Sequence, residues 1–209
     1  MLAAMRGVYA IYDRSTLADD ALASVDAVLE AGVTWLQYRD KRTGAPDPTL
    51  ARRLADTAHA AGVGFIVNDD WRLALDIGAD GVHLGTADGD CRTARAALGP
   101  DAVIGASCQS SIERGRAALE AGASYLSFGR FFTSETKPDA PPADPGVLGQ
   151  ARALGHPIVT IGGIDASNAS TLIEAGADAV AVSGAIFRST EPAAEARKLV
   201  ALFDPPQPN

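Results

Sequence analysis

The segment AGASYLSFG (residues 121–129) combines a turn of small residues, a short run of residues that favour β-strands, and a glycine at its end. The same pattern returns at residues 31–40, 61–69, 78–85, 98–107, 154–163 and 175–184. An earlier run, VYAIYD (residues 8–13), lacks the turn, and helix-forming stretches rich in Ala, Leu, Arg and Glu separate all eight runs. Parallel strands need helical crossovers, and closure removes sheet edges. The sequence therefore predicts a single-domain α/β protein, a (β/α)8 TIM barrel over residues 1–203.

The bulk composition is that of an ordinary globular domain. Of the 209 residues, 47% are hydrophobic and 21% are charged, and the formal net charge is −8. That charge argues against nucleic-acid and anionic-membrane partners, and the chain has no signal-peptide core or apolar run of transmembrane length. Cys91 and Cys108 suit free thiols in a reducing cytoplasm. We expect the tail (residues 204–209) to be disordered.

Capping residues predict where several helices begin. The candidate caps are Ser15 or Thr16, Ser110 with Glu113 in a capping box, Asp165, and Thr190. Glycines close to the following strand predict where helices end, at Gly32, Gly62, Gly99, Gly122, Gly155 and Gly176. The helices therefore fall between the strands, as a barrel requires.

Active sites of such barrels lie at the carboxyl ends of the strands, so the polar residues that end each run are the candidate site. Gln37, Arg39 and Lys41 end the second run, and strand alternation points all three the same way. A guanidinium and an ammonium together suit a diphosphate. A cluster of ion pairs with Asp40 and Asp69 explains the same residues equally well.

Two carboxylates follow the next two runs. Asn68 and Asp69 end the third run, and Asp88 follows the fourth. Paired carboxylates beside basic groups suit Mg²⁺, which keeps several waters and takes further oxygens from substrate phosphates. Asp69 and Asp88 could instead cap the helices that follow, but their pairing favours the metal.

The later runs end in groups that suit a phosphate. After the sixth run, a long loop carries Ser134, Thr136 and Lys137, and we interpret it as a lid. Gly163, Ser183 and Gly184 follow the seventh and eighth runs, where barrels of this type often bind phosphate through backbone N–H groups. An exposed polar loop and tight-turn glycines are the alternatives.

The histidines do not suggest covalent catalysis. His59, His83 and His156 form no nucleophile–base pattern, and His83 lies inside a strand, where we expect it to be buried and hydrogen-bonded. Two anion pockets and one metal, without a nucleophile, predict a transfer reaction with a diphosphate leaving group.

The motifs QYRDK, VNDD, ADGVHLG followed by Asp88, GAS, TSETKPDA, IGGI and AVAVSGAI occur in this order over residues 8–198. In this the chain resembles the thiamine phosphate synthases. The resemblance implies the condensation of 4-amino-2-methyl-5-(diphosphooxymethyl)pyrimidine with 4-methyl-5-(2-phosphooxyethyl)thiazole to thiamine phosphate and diphosphate. It also implies Mg²⁺ dependence and ionisation of the pyrimidine diphosphate to a carbocation.

The resemblance also implies roles for individual residues. Gln37, Arg39, Lys41 and Asn68 would bind the pyrimidine diphosphate, with Mg²⁺ on Asp69 and Asp88. Ser107, Lys137 and Arg39 would act on the leaving diphosphate, and Ser134, Thr136, Gly163, Ser183 and Gly184 would hold the thiazole phosphate. The chain departs from the family pattern at Thr86, where Gln is usual, and at Arg130, where Pro is usual. In the lid, Thr133 and Ser134 stand where Pro and Thr are usual.

Two other functions remain open from the sequence. A thiazole tautomerase of the same superfamily would use a histidine at the position where this chain has Gln109. A non-catalytic protein that binds thiamine phosphates would keep the pockets without turnover. The exposed helices of a barrel would also allow a homo-oligomer.

Overall fold

Eight parallel strands close into a barrel, each pairing with its neighbours in chain order and the last with the first. The strands are β1 (Gly7–Asp13), β2 (Trp35–Arg39), β3 (Gly64–Asn68), β4 (Gly81–Leu84), β5 (Val103–Gln109), β6 (Tyr125–Gly129), β7 (Ile158–Ile161) and β8 (Ala179–Val182). This computed structural model describes residues 5–17, 19–42, 46–85, 90–133 and 142–203, so the predicted tail lies outside the described residues. The prediction of a (β/α)8 barrel is confirmed.

Helices surround the barrel. They are α1 (Val25–Glu30), preceded by a 3₁₀ helix (Asp19–Ser24), then α2 (Pro48–Ala60), α3 (Trp71–Ile77), α4 (Cys91–Leu98), α5 (Ile112–Glu120), α6 (Gly146–Arg152), α7 (Ala169–Glu174), α8 (Gly184–Phe187) and α9 (Pro192–Ala201). The short α8 is an addition to the predicted pattern. The six glycines predicted to end helices all have positive φ. Among the described helices, none has the length and apolar character needed to cross a membrane.

The predicted helix starts are wrong by a few residues. Ser111, not Ser110, caps α5: its Oγ accepts from Arg114 N at 3.2 Å and donates to Glu113 at 2.9 Å. The cause is an irregularity in β5 that extends the strand to Gln109, which has a φ of 56°. The helix therefore begins one residue later.

The other three starts shift for local reasons. Ser15 and Thr16 lie in a turn whose N–H groups bond to Asp13, so the first helical residue comes later. The backbone oxygen of Asp165 accepts from Ala169 N at 3.0 Å, which closes a turn before α7. Helix α9 has Glu191 rather than Thr190 at its N-cap.

Strand alternation divides the buried residues into two groups. One group, between the strands and the helices, includes both free cysteines. The second fills the lower part of the barrel and contains Tyr9, Ile11, Met5, Trp35, Ile66, Tyr125, Val159, Ala179 and Ala181. Gly64 borders Trp35, and a Cβ there would overlap the indole ring. The packed interior closes the barrel from below, so the carboxyl ends of the strands form an open mouth.

Candidate active site

A cavity of about 620 Å³ opens at the carboxyl ends of the strands, a size that suits small organic ligands. The predicted site residues that line it are Gln37, Arg39, Lys41, Asn68, Asp69, Ser107, Gly163, Ser183 and Gly184. The predicted residues Asp88, Ser134, Thr136 and Lys137 lie outside the described residues, as does Thr86. The structure thus brings every predicted site residue that it describes into one cavity.

On the β2 side of the cavity, Arg39 is held by a carboxylate of β1. Arg39 Nη1 lies 2.6 Å from Asp13 Oδ2, and the two residues are direct neighbours in the β1–β2 register. The Asp13 side chain is only 3% exposed, and its Oδ1 accepts from Ser15 N at 3.0 Å. Asp13 therefore fixes the guanidinium at the mouth, although it was absent from the predicted site.

Lys41 and Asn68 both contact Asp69. Lys41 Nζ lies 2.5 Å from Asp69 Oδ2, and Asn68 Nδ2 donates to the same oxygen at 2.6 Å. Asp69 has a φ of 65°, and its backbone N–H donates to His83 O at 2.8 Å. This left-handed turn places the carboxylate over the cavity beside the cations.

The alternative interpretation of the β2 cations, an ion-pair cluster with Asp40 and Asp69, is only partly observed. Asp69 pairs with Lys41, but Asp40 points to the other side of its strand, where Arg14 Nη1 and Tyr38 OH each lie 3.1 Å from its Oδ2. Period-two alternation explains this difference. The cavity therefore keeps Arg39 and Lys41 but excludes Asp40.

A hydrogen-bonded chain of Gln37, Tyr9, Tyr125 and His83 forms the floor of the cavity. Gln37 Nε2 donates to Tyr9 OH at 2.7 Å, and Tyr9 OH lies 3.1 Å from Tyr125 OH. His83 Nδ1 lies 2.9 Å from the same Tyr125 OH, and the two rings stack. Burial raises the pKa of both Tyr9 and Tyr125 well above the ordinary value, so both phenols stay neutral. The two phenols therefore offer hydrogen bonds without negative charge.

His83 differs from its prediction. It is hydrogen-bonded as expected, but it is half-buried and lines the cavity. Its position two residues before Gly85 at the end of β4 was a usable signal, because alternation turns both towards the barrel interior.

The wall of the cavity from β6 to β8 is formed by residues after these three strands. Gly163 lies against the loop after β6, where a Cβ would overlap the backbone oxygen of Thr133. Ser183 Oγ is buried and has no hydrogen-bond partner among the residues that the structure describes. Arg130 and Arg188 also line this side, although neither was a predicted site residue.

Ser107 and Gln109 line the cavity at the end of β5. Gln109 Oε1 accepts from Arg114 Nη1 of α5 at 2.5 Å, so that contact ties the amide to the outer helix. Ser107, a residue of β5, lines the cavity with its hydroxyl group. The end of β5 can thus supply a donor but not a base.

Of the two carboxylates predicted to bind Mg²⁺, the structure describes Asp69, while Asp88 lies outside the described residues. The described residues contain no group of three or more His, Cys, Asp or Glu side chains that could enclose an ion. Mg²⁺ commonly uses one or two protein carboxylates and completes its shell with water and substrate phosphates. Asp69 lies in the cavity beside Lys41 and meets that requirement.

Comparisons with known proteins agree along nearly the whole chain. The profile described as thiamine monophosphate synthase matches residues 8–186. The thiamine-phosphate synthase of Methylobacillus flagellatus is 47% identical over 201 residues, which are 96% of this chain and 96% of that protein. The thiamine-phosphate synthase of Chromobacterium violaceum is 50% identical over 207 residues, or 95% of this chain and 97% of that protein.

A solved structure gives the same result. The thiamine phosphate pyrophosphorylase from Pyrococcus furiosus superposes with a TM-score of 0.84 at 29% identity, covering 96% of each chain. The profile match spans most of the sequence, and the relatives align from end to end. On this evidence the chain belongs to the thiamine monophosphate synthase family.

Proposed function

We propose that this chain is a thiamine-phosphate synthase, a transferase that condenses 4-amino-2-methyl-5-(diphosphooxymethyl)pyrimidine with 4-methyl-5-(2-phosphooxyethyl)thiazole. The observation that carries the proposal is a single cavity lined by cations from separate strand ends: Arg39 and Lys41 after β2, Arg130 after β6 and Arg188 beyond β8. One phosphorylated substrate fits each side. The hydrogen-bonded floor lies between them, where the organic rings would meet.

The chemistry needs charge stabilisation more than proton transfer. The bond between the pyrimidine methylene carbon and the diphosphate oxygen breaks first, and its electron pair leaves with the diphosphate. The lone pair of the thiazole nitrogen then forms the new C–N bond to the methylene carbocation. Because that nitrogen carries no proton, no base is required, which agrees with a cavity whose histidine is tied to Tyr125.

The β2 side provides the groups that would act on the leaving diphosphate. Arg39 offers a guanidinium fork held by Asp13, and Lys41 and Asn68 add donors beside it. Bound Mg²⁺ would neutralise charge on the diphosphate, and Asp69 would hold it together with Asp88. Ser107 and Lys137 would add further donors, as the family resemblance implies.

The floor would bind the pyrimidine ring. Gln37 donates to Tyr9, which orients its amide so that the carbonyl oxygen can accept from the amino group of the pyrimidine. Burial of Gln37 strengthens such a bond. The stacked pair of His83 and Tyr125 offers the flat surface that an aromatic ring requires.

The tautomerase alternative is less well supported. Its histidine position is occupied by Gln109, an amide whose oxygen accepts from Arg114. An amide cannot take up a proton at neutral pH, so it cannot serve as the base of an isomerisation. Arg39 and Lys41 would also have no diphosphate to bind in that reaction.

The deciding experiment is a product assay. Purified protein is incubated with both substrates and Mg²⁺, and thiamine phosphate and diphosphate are quantified by mass spectrometry. A synthase forms both in equal amounts. Tight binding of the thiazole phosphate without product would overturn the proposal in favour of a non-catalytic binding protein. Isomerisation of the thiazole phosphate carboxylate without pyrimidine would instead identify a tautomerase.

We also propose a cytoplasmic location, supported by two buried free thiols, Cys91 and Cys108. Burial raises the pKa of the Cys108 thiol to about 12, which keeps it in the unreactive protonated form. A homo-oligomer through the outer helices stays a prediction, which sedimentation velocity would test.

A further inference from the structure

The ends of β1 and β2 stay in contact beyond the last pair of their ladder. In that ladder each residue lies beside the residue 26 positions later, and the ladder ends with Asp13 beside Arg39. Side chains continue the same offset for two more residues. The contacting pairs are Asp13 with Arg39, Arg14 with Asp40, and Ser15 with Lys41. Three consecutive residues of one strand end therefore hold three consecutive residues of the other, and two of the held residues are the cavity cations.

Ser15 supplies a hydrogen bond that the strand ladder no longer provides. Strand β2 ends at Arg39, and two residues later Ser15 Oγ accepts from Lys41 N at 2.6 Å. Ser15 is itself fixed, because its N–H donates to Asp13 Oδ1 at 3.0 Å. A serine that the sequence suggested as a helix cap therefore holds the backbone of a cavity cation.

Asp40 holds the residue between the two cations from the outer side of β2. Its side chain is 1% exposed, its Oδ2 lies 3.1 Å from Arg14 Nη1, and its Oδ1 accepts from Arg42 N at 3.0 Å. Arg14 N also donates to Arg39 O at 2.9 Å. Arg14 Nη1 lies 3.2 Å from Asp47 Oδ2, the carboxylate that caps α2. These contacts hold the end of β2 against both β1 and α2.

The holding groups and the held cation lie in different places. Arg14, Ser15 and Asp40 are all described by the structure, and none of them lines the cavity. Lys41 does line it, with a side chain that is 45% exposed and an Nζ that contacts Asp69. A lysine side chain has many rotamers, so its ammonium meets an anion at a defined point only when the backbone that carries it is fixed.

We propose that Ser15 and Asp40 are positioning residues for diphosphate binding, because they fix the backbone from which Lys41 reaches the ligand. Arg14 contributes by holding Asp40. None of the three touches the ligand. That Lys41 binds a diphosphate rests on the proposed function.

The first variant is Ser15→Ala, which removes one hydroxyl and no charge. Isothermal titration calorimetry on the full chain, without divalent metal, measures the affinity for inorganic diphosphate. We expect this affinity to fall by about two- to fivefold, and that for the thiazole phosphate to stay unchanged. Ser24→Ala is the matched control, because Ser24 Oγ donates to Ala21 O at 2.7 Å in the 3₁₀ helix, outside the cavity. It should leave both affinities unchanged.

The second variant is Asp40→Asn, for which charge and position predict opposite signs. Removing a negative charge near the cavity would by itself strengthen binding of an anion. Loss of positioning weakens it, and we expect the affinity for inorganic diphosphate to fall by about three- to tenfold. A gain in affinity would overturn the proposal. Thermal unfolding shows whether each variant is folded, and Ser15→Ala decides the matter if Asp40→Asn is not.

A double variant separates positioning from a general loss of structure. In Ser15→Ala combined with Lys41→Gln, the serine substitution should cause no further loss of diphosphate affinity, because the ammonium that it positions is gone. Additive losses would show that Ser15 supports the fold rather than Lys41, and would overturn the proposal. An unchanged diphosphate affinity in either single variant would do the same.

These measurements are independent of the product assay. They involve no pyrimidine and no turnover, so a failed product assay would leave a coupled loss in Ser15→Ala and Lys41→Gln standing. Product formation by the wild type, with unchanged diphosphate affinity in Ser15→Ala, would overturn this inference alone.

Discussion

The two cationic sides of the cavity are built differently. On the β2 side each cation is already paired with a carboxylate, Arg39 with Asp13 at 2.6 Å and Lys41 with Asp69 at 2.5 Å. On the β6–β8 side, Arg188 lies over backbone at Gly184 beside a buried serine hydroxyl. The first side holds its cations with carboxylates, whereas on the second side Arg130 Nη1 donates to Phe132 O at 3.3 Å and the Arg188 guanidinium lies against backbone at Gly184.

This difference suits the two roles that we propose. The leaving diphosphate gains negative charge as the C–O bond breaks, so cations held rigidly in place stabilise the transition state more than the ground state. The phosphate of the thiazole keeps its charge throughout the reaction. Neutral donors and a guanidinium on that side improve binding but do not act on the reacting bond.

The largest effect is expected for Arg39→Gln. Removing the guanidinium takes away a fixed positive charge from the leaving group, so kcat should fall by about 100- to 1000-fold. The affinity for the thiazole phosphate should stay within about twofold, since that ligand binds on the opposite side. Steady-state kinetics and calorimetry on the same preparation measure both quantities.

Two further variants test whether Arg39 acts through its position. Arg42→Gln, on an exposed neighbour outside the cavity, is the matched control and should keep kcat. Asp13→Asn removes the charge that holds Arg39 and should lower kcat by about tenfold, with no added loss in the double variant with Arg39→Gln. An unchanged kcat in Arg39→Gln would remove the distinction between the two sides.

A smaller effect, an increase in the affinity for a divalent cation, is expected for Lys41→Gln. Lys41 Nζ contacts the same Asp69 oxygen that a metal would use, so the ammonium competes with a divalent cation in the absence of diphosphate. Its removal should strengthen binding of Mn²⁺ alone by about two- to fivefold, because an ion pair this exposed contributes little. Electron paramagnetic resonance of unbound Mn²⁺ measures this.

The affinity for inorganic diphosphate is the second measurement made on the Lys41→Gln variant. Affinity for inorganic diphosphate should fall in the same variant, since the diphosphate then lacks the ammonium that would pair with it. If Mn²⁺ and diphosphate affinities both fall, Lys41 assists the metal instead of competing with it, and the view of the β2 side as internally neutralised would be wrong.

The barrel and the β2 cations could be predicted because both depend on short-range patterns. Repeated runs predict the strands, and alternation places Arg39 and Lys41 on one side. Asp13 could not be predicted as the partner of Arg39. The two are 26 residues apart, and only the β1–β2 register makes them neighbours.

Arg188 and Ser111 were missed for different physical reasons. Arg188 enters the cavity because the four-residue α8 turns the chain back over Gly184, and so short a helix leaves no periodic pattern. The cap of α5 moved to Ser111 because β5 carries an irregularity between Ser107 and Gln109. An irregularity of this kind shifts the strand register by one residue and has no characteristic amino-acid composition, so the sequence does not reveal it.

The smallest effect concerns the floor between the two sides. Burial raises the pKa of Tyr9 and Tyr125 above the ordinary 10.0, so the floor should carry no negative charge and phosphate affinity should not change through phenol ionisation below pH 10. Above pH 10 the unfolded chain releases these protons while the folded chain retains them. The contribution of the two tyrosines to the free energy of unfolding is therefore fully present below pH 10 and is lost as the pH rises further.

Tyr125→Phe should reduce this alkaline loss, measured by urea unfolding at pH 8, 10 and 11. The matched variant is Tyr38→Phe, because burial also raises the pKa of Tyr38 to about 12, yet that ring faces away from the cavity. Both substitutions should flatten the pH dependence of stability, but only Tyr125→Phe should alter binding of the pyrimidine diphosphate. Equal effects on binding would mean that the floor does not contact the ligand, and the two sides would then have to work without it.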